Sequence, residues 1–226
     1  METRQRTGIL LTMETKDIQQ LREDYSQSSL DERNVHKSPI QQFKEWLDAS
    51  IKAKLPEPNA MTLSTVDAEH KPHSRIVLLK GIENGGFIFF TNYESDKGKE
   101  IENNPNVSLC FLWKELERQL RIDGVVRKIS REESEEYFQS RPIKSQIGAL
   151  ASDQSSVIRN REELEKKFKE LTEKYSAGNV PMPANWGGYH VDPIGIEFWQ
   201  GRSSRLHDRI KYEKENDQWI IKRLAP

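Results

Sequence analysis

The feature that most limits the fold is a succession of short apolar or alternating runs divided by turn residues. Residues 60–66, 73–80, 87–91, 106–113, 117–129 and 189–199 each read as a strand, and 210–212 with 219–223 as a closing hairpin. Polar or glycine-bearing breaks separate them, among them 67–72 and Asn84-Gly85-Gly86. Turns this short join antiparallel neighbours. The expected fold is therefore mainly β with flanking helices, a closed or partly closed barrel.

The flanking helices announce themselves by their caps. Ser38-Pro39 supplies an N-cap and a first-position proline, and Phe43, Trp46, Leu47 and Ile51 follow at helical spacing as a core stripe. Ser95 caps a helix running to about Asn103, and Ser130-Arg131-Glu132-Glu133 is a capping box for a helix that Pro142 stops. Asn160 opens a long charged helix through about Tyr175, with Leu164, Phe168 and Leu171 facing inward and Gly178 at its end. Residues 14–27 also have helical character, which sets Arg22 and Tyr25 on one face. Residues 1–20 read as a disordered N-terminal segment, with Met13 an alternative start to Met1, and 21–226 as a single domain.

Composition narrows the chemistry. With 35 basic and 36 acidic residues the net charge is -1, so no global field favours nucleic acid or an anionic membrane, and any anion site is local. No apolar stretch approaches a membrane span. The single cysteine, Cys110, excludes an internal disulfide or a thiolate metal cluster and suits a reducing, cytoplasmic setting. The five histidines never fall at zinc spacing, and GxSxG, Walker and GxGxxG motifs are absent, so no metal is expected.

What remains is a set of scattered anion-binding elements. The segment EFWQGRSSRLHDR at 197–209 packs Arg205, His207 and Arg209 into five residues, enough to hold an anionic substrate, with a solvated charged turn as the competing reading. Upstream, Arg75, Lys97 and Ser155 form one candidate phosphate set, and Lys80, Tyr137, Arg141 and Ser145 a second. Strand alternation sends Arg75 and Lys80 to opposite faces, so they would serve different groups or different subunits. Lys97 lies in the first turn of a helix that a strand feeds, where free N–H groups favour an anion, although Asp96 beside it would repel a phosphate. Gln119 could offer its amide to a polar ring edge.

The segments RIVLLK, FFTN, SxKGKEIENNP, ERQLRIDG, EYFQSRPxxSQIGA, SxQSSVI, WGGY, IEFWQGxxxRLHDR and RLAP, in this order, resemble the pyridoxine (pyridoxamine) 5′-phosphate oxidase family from about Arg22 to Pro226. The resemblance implies an FMN-binding split β-barrel, a homodimer with FMN at the subunit interface. It also implies oxidation of pyridoxine or pyridoxamine 5′-phosphate to pyridoxal 5′-phosphate, with O2 reduced to H2O2. Carried over by motif, the FMN contacts fall on Arg75, Ile76, Val77, Leu78, Leu79, Lys80, Phe90, Thr91, Lys97, Gln119, Gln154, Ser155, Trp199 and Arg209. The substrate contacts fall on Lys80, Tyr137, Arg141 and Ser145 at the phosphate, on Arg205 and His207, the catalytic pair, over the pyridine, and on Arg22 and Tyr25 as a lid. One departure stands out: Ser95-Asp96-Lys97 occupies the place where the family commonly has Ser-Arg-Lys. Two other readings stay open, a split-barrel flavin reductase and a non-catalytic pyridoxal phosphate or FMN carrier.

Overall fold

The computed structural model describes Leu21 and residues 23–226; the expected disordered segment 1–20 and Arg22 lie outside the described residues. The strands are β1 (Ala60–Val66), β2 (Pro72–Leu78), β3 (Gly81–Glu83), β4 (Gly86–Asn92), β5 (Asn106–Trp113), β6 (Arg118–Lys128), β7 (Trp186–Gln200), β8 (Asp208–Glu215) and β9 (Gln218–Leu224). They form one sheet in the order β2-β1-β5-β6-β7-β4-β3, with β8 on β7 and β9 on β8, every pairing antiparallel. Around it lie α1 (Pro39–Lys52), α2 (Asp96–Asn103), α3 (Arg131–Ser140), α4 (Ile143–Ala151) and α5 (Arg161–Lys174). The mainly β architecture with flanking helices is the expected one.

Strand β7 is the spine of the sheet. One edge pairs with β6 from Tyr189 to Gln200, while the other pairs first with β4 over Trp186–Val191 and then with β8 over Gly195–Gln200. The changeover falls over Asp192, Pro193 and Ile194, where the register to β6 also shifts between Asp123 and Gly124. Proline has no N–H to give to a ladder, so a break in pairing is best placed there. Gly124 makes the approach possible, since a Cβ there would stand 2.6 Å from the Asp192 carbonyl oxygen.

Helix α1 starts at the Ser38 cap and packs its apolar stripe against this sheet. Phe43 meets Phe87 and Phe111 edge-on at 5.0 and 5.3 Å, and Trp46 meets Phe198 at 5.1 Å; all five rings are buried. Ile51, expected in this stripe, is 55% exposed. At about 100° per residue it sits roughly 140° round the helix from Trp46, beyond the apolar face. A second cluster gathers Phe138, Ile147, Val180, Met182 and Trp186. The loop that supplies the last three is held by Arg131, whose guanidinium donates to the carbonyls of Met182, Pro183 and Trp186 at 3.0 Å each.

Three local expectations change. Leu21 and residues 23–27 are irregular rather than helical. Backbone donors in this N-terminal stretch go to distant carboxylates, Gln27 N–H to Glu117 and Leu30 N–H to Asp208, instead of to carbonyls one turn back. The strand expected over 73–80 ends at Leu78, and Lys80 N–H pairs with the Ile88 carbonyl as β3 begins. Pro142 not only follows α3 but also stands as the N-cap of α4, a helix the sequence reading did not include.

At one end of the barrel α2 is tied to β1 and β2 through Glu100. Its carboxylate accepts from the Thr65 hydroxyl, from His73 Nδ1 at 2.6 Å and from Arg75 Nη2 at 3.0 Å, with 8% of the side chain exposed. Burial pushes this carboxyl up, but the hydrogen bonds from Thr65, His73 and Arg75 outweigh it and hold it below the ordinary 4.5.

Two expectations follow for stability. Phe43→Ala removes the central ring of the core and should destabilise the fold by about 3–5 kcal/mol, read as a fall in the thermal midpoint. A depressed folded pKa gives Glu100 a contribution present above its unfolded value and lost as pH falls through the folded one. Glu100→Gln should therefore be less stable than wild type near pH 7, with the two melting curves converging as the pH drops below about 4.

Candidate functional site

A cleft of about 700 Å³ opens where β2, β4, α2 and the α3–α4 junction meet. Its lining includes Arg75, Ile76, Val77, Leu78, Lys80, Phe90, Thr91, Lys97, Tyr137, Arg141, Ser145 and Gln154. Arg75 and Lys97 of one candidate phosphate set thus share a cleft with the whole of the other, Lys80, Tyr137, Arg141 and Ser145. β2 ends at Leu78, so regular alternation does not reach Lys80, and Arg75 and Lys80 both line this cleft, as do the intervening residues Ile76, Val77 and Leu78 from both faces of the strand. Leu79 is instead buried in the core, and Ser155, at φ 71, is not part of the lining although Gln154 is.

Strand β4 delivers Phe90 and Thr91 to the cleft, and Ser95 then caps α2 by accepting from Gly98 N–H. Gly98 is required here, since a Cβ would lie 2.0 Å from the Tyr93 carbonyl oxygen. The turn places Lys97 inward, only 8% exposed, where its ammonium donates to Ser95 Oγ and Gln154 Oε1, both at 3.2 Å. No carboxylate of the described residues pairs with it, and burial followed by the nearby Arg75 charge pushes its pKa down. Asp96 is exposed and faces a neighbouring cavity with Asp67, His73, Lys99 and Glu100. Consecutive helical residues point about 100° apart, so Asp96 and Lys97 project in different directions, although the Asp96 charge still acts on the Lys97 ammonium and offsets part of the fall in its pKa.

Arg141 is held by rings rather than by an acid. Its guanidinium lies 4.8 Å from the Trp186 ring centre and 5.6 Å from that of Phe138, and burial lowers its pKa. Nη1 is buried without a hydrogen-bond partner among the described residues. Trp186 stacks on Phe90 at 5.4 Å, and Phe90 on Tyr137 at 3.9 Å, forming one aromatic wall. The sequence reading missed Trp186 as a site residue; its only signal was its place in the WGGY segment. Arg75 differs from its neighbours in already carrying a carboxylate partner, Glu100. A cation withdrawn from water without an acid beside it is better satisfied by an anion, so the buried Lys97 and the half-buried Arg141 together favour an anionic ligand with phosphate-like acceptors.

The remaining expected residues gather at the far end of β7. Trp199 is flanked across the sheet by Gln119 of β6 and Arg209 of β8. Its ring lies 4.6 Å from His207 and 5.8 Å from Tyr25, which packs against His207 at 5.9 Å. Arg209 is bound to Glu197 at 2.8 Å and to the Ala225 carbonyl at 2.9 Å. Arg205 is exposed on a turn in which both Ser204 and Arg205 take left-handed φ, 56° and 61°. Each such non-glycine residue costs roughly 1–2 kcal/mol. Arg202 N–H donates to His207 Nδ1 at 3.1 Å, and the Asp208 carboxylate takes Arg202, Arg223 and Leu30 N–H.

These two groups are not brought together within one chain. Gly187, paired with Thr91 beside the cleft, and Trp199 are twelve positions apart on β7 (199 minus 187). At about 3.3 Å per residue that is up to roughly 40 Å of strand. No member of the second group lines the cleft.

Comparison with known proteins gives a consistent picture. Residues 47–175 match the family model described as pyridoxamine 5′-phosphate oxidase, and residues 186–226 that described as the pyridoxine 5′-phosphate oxidase C-terminal dimerisation region. A pyridoxine/pyridoxamine 5′-phosphate oxidase of Acaryochloris marina is 52% identical over 209 residues, 92% of this chain and 95% of that protein. One of Leptospira biflexa is 52% identical over 210 residues, 93% of this chain and 99% of that protein. Among solved structures, PhzG from Burkholderia lata in complex with tetrahydrophenazine-1-carboxylic acid superposes with a TM-score of 0.84 at 29% identity, covering 88% of this chain and 98% of that one. A pyridoxamine 5′-phosphate oxidase-related, FMN binding protein from Nostoc punctiforme shares the fold at 17% identity, with a TM-score of 0.69 and coverage of 88% and 100%. The expected split barrel is the fold this chain shares with these structures, and the chain belongs to the pyridoxamine 5′-phosphate oxidase family.

Proposed function

We propose that the protein is an FMN-dependent oxidase converting pyridoxine 5′-phosphate and pyridoxamine 5′-phosphate to pyridoxal 5′-phosphate, with O2 reduced to H2O2. The observation that carries this reading is a cleft in which two cations, the buried Lys97 and the half-buried Arg141 with its buried Nη1, lack carboxylate partners among the described residues. Identity of 52% to oxidases of that name over 92% of the chain supports it.

In this reading Arg75, Lys97, Thr91 and Gln154 hold the FMN phosphate end, with Ser155 on the adjoining loop. Lys80, Tyr137, Arg141 and Ser145 hold the substrate phosphate. Bound FMN supplies the two-electron acceptor that passes electrons on to O2. Gln119, Trp199, Arg205, His207 and Arg209 come from a second copy of the chain, since one chain keeps them at the other end of β7. The family description of residues 186–226 as a dimerisation region supports this homodimer. Arg205 and His207 orient the pyridine ring and stabilise charge as the C4′ carbon is oxidised, and Tyr25 with Arg22 closes over it. A single cysteine supports a cytoplasmic setting, and no helix of the described residues is long and apolar enough to cross a membrane.

Protein reconstituted with FMN should release H2O2 and pyridoxal 5′-phosphate in equal amounts from pyridoxine 5′-phosphate in air. Turnover confined to a non-phosphorylated aromatic acid such as tetrahydrophenazine carboxylate, or flavin bleaching by NAD(P)H alone, would sink the assignment. Arg141→Ala should raise KM for the phosphorylated substrate about tenfold to hundredfold, the worth of a charge-assisted hydrogen bond, with a smaller change in kcat.

A further inference from the structure

We infer that Arg202 and Asp208 are positioning residues that hold His207 as its Nε2–H tautomer, so that His207 meets the substrate as a hydrogen-bond donor through Nε2. The inference deepens the proposed oxidase function and rests on it for the identity of what His207 faces.

The tautomer follows from the one bond that the ring's other nitrogen makes. Arg202 N–H points at His207 Nδ1 from 3.1 Å. A backbone amide can only donate, so Nδ1 must carry the lone pair and the ring hydrogen sits on Nε2. Nδ1 has no room for a proton of its own while that amide is in place. Nε2, already protonated, is a donor at rest and not a base.

Holding the amide there takes a second layer of contacts. The Arg202 guanidinium is anchored to Asp208 Oδ2 at 2.9 Å, immediately after the histidine, which closes the loop 202–208 on itself. Asp208 is itself fixed by Leu30 N–H at 3.0 Å and by Arg223 Nη1 at 2.9 Å, with 15% of its side chain exposed. The clamp spans a turn whose two left-handed residues, Ser204 and Arg205, would relax without it. Tyr25 and Trp199 restrain the imidazole from two sides, at 5.9 and 4.6 Å. One carboxylate therefore sets both the direction of His207 and the display of Arg205.

The test reads the tautomer directly. In ligand-free protein labelled with 15N-histidine, long-range proton–nitrogen correlation at neutral pH, with the His207 signals assigned by loss in His207→Asn, should show an unprotonated Nδ1 and a protonated Nε2. The reverse pattern, or two protonated nitrogens, would overturn the assignment. In Asp208→Asn the single-tautomer pattern should break down and kcat should fall roughly tenfold to hundredfold, while KM for pyridoxine 5′-phosphate stays within about twofold because the phosphate contacts are untouched. An unchanged tautomer with unchanged kcat would remove Asp208 from this role. If Asp208→Asn does not fold, Arg202→Gln, which keeps the backbone amide and loses the clamp, is read in the same way. Failure of wild-type protein to oxidise the substrate overturns the functional reading alone, since the tautomer is measured without substrate.

Discussion

A single strand that serves two different neighbours along one edge is the constraint on which the molecule depends. β7 keeps β6 along one side and hands its other side from β4 to β8 over Asp192, Pro193 and Ile194. Pro193, with no N–H to give to a ladder, lies within this handover. β4 leads into the capped helix that carries Lys97, and β8 begins immediately after the Arg205–His207 segment. The separation of the two chemical groups is a property of the hydrogen-bond ladder and not of flexible loops.

The cleft divides its cations by what neutralises them. Arg75 is committed to Glu100, which also joins two strands to a helix. Lys97 is anchored by neutral oxygens, and Arg141 lies over the Trp186 and Phe138 rings. Neutral and aromatic supports fix the direction of a charge without cancelling it. The cleft thus retains positive potential where a ligand is wanted and spends it where a structural tie is wanted.

Much of this was legible in the residues. β1 and β5 occupy the stretches read from their apolar runs, and Ser38, Ser95, Ser130 and Asn160 cap the helices they announce. The cations of the cleft were also visible, because lysine and arginine beside helix starts and strand ends carry their own signal. What escaped was non-local or ambiguous. Pro142 reads as a stop, and only the packing of Ile147 and Ala151 shows that a new helix begins there. Arg75 and Lys80 share a cleft, and β2 ends two residues before Lys80, where periodicity is weakest. Glu100 and Trp186 act through partners 25 and 45 positions away, a distance along the chain that no local pattern encodes.

Arg131 shows how far from a ligand its recognition can be determined. One guanidinium satisfies carbonyl oxygens of Met182, Pro183 and Trp186, so that loop keeps its shape with no ladder of its own. Trp186, at its end, is the platform on which Arg141 rests. Lysine has the charge of Arg131 but not its planar fork, which here spreads the donors over two nitrogens, Nη1 to Pro183 and Trp186 and Nη2 to Met182. The position of Arg141 in the cleft is thereby tied to Arg131, a residue in the first turn of α3 that does not itself line the cleft.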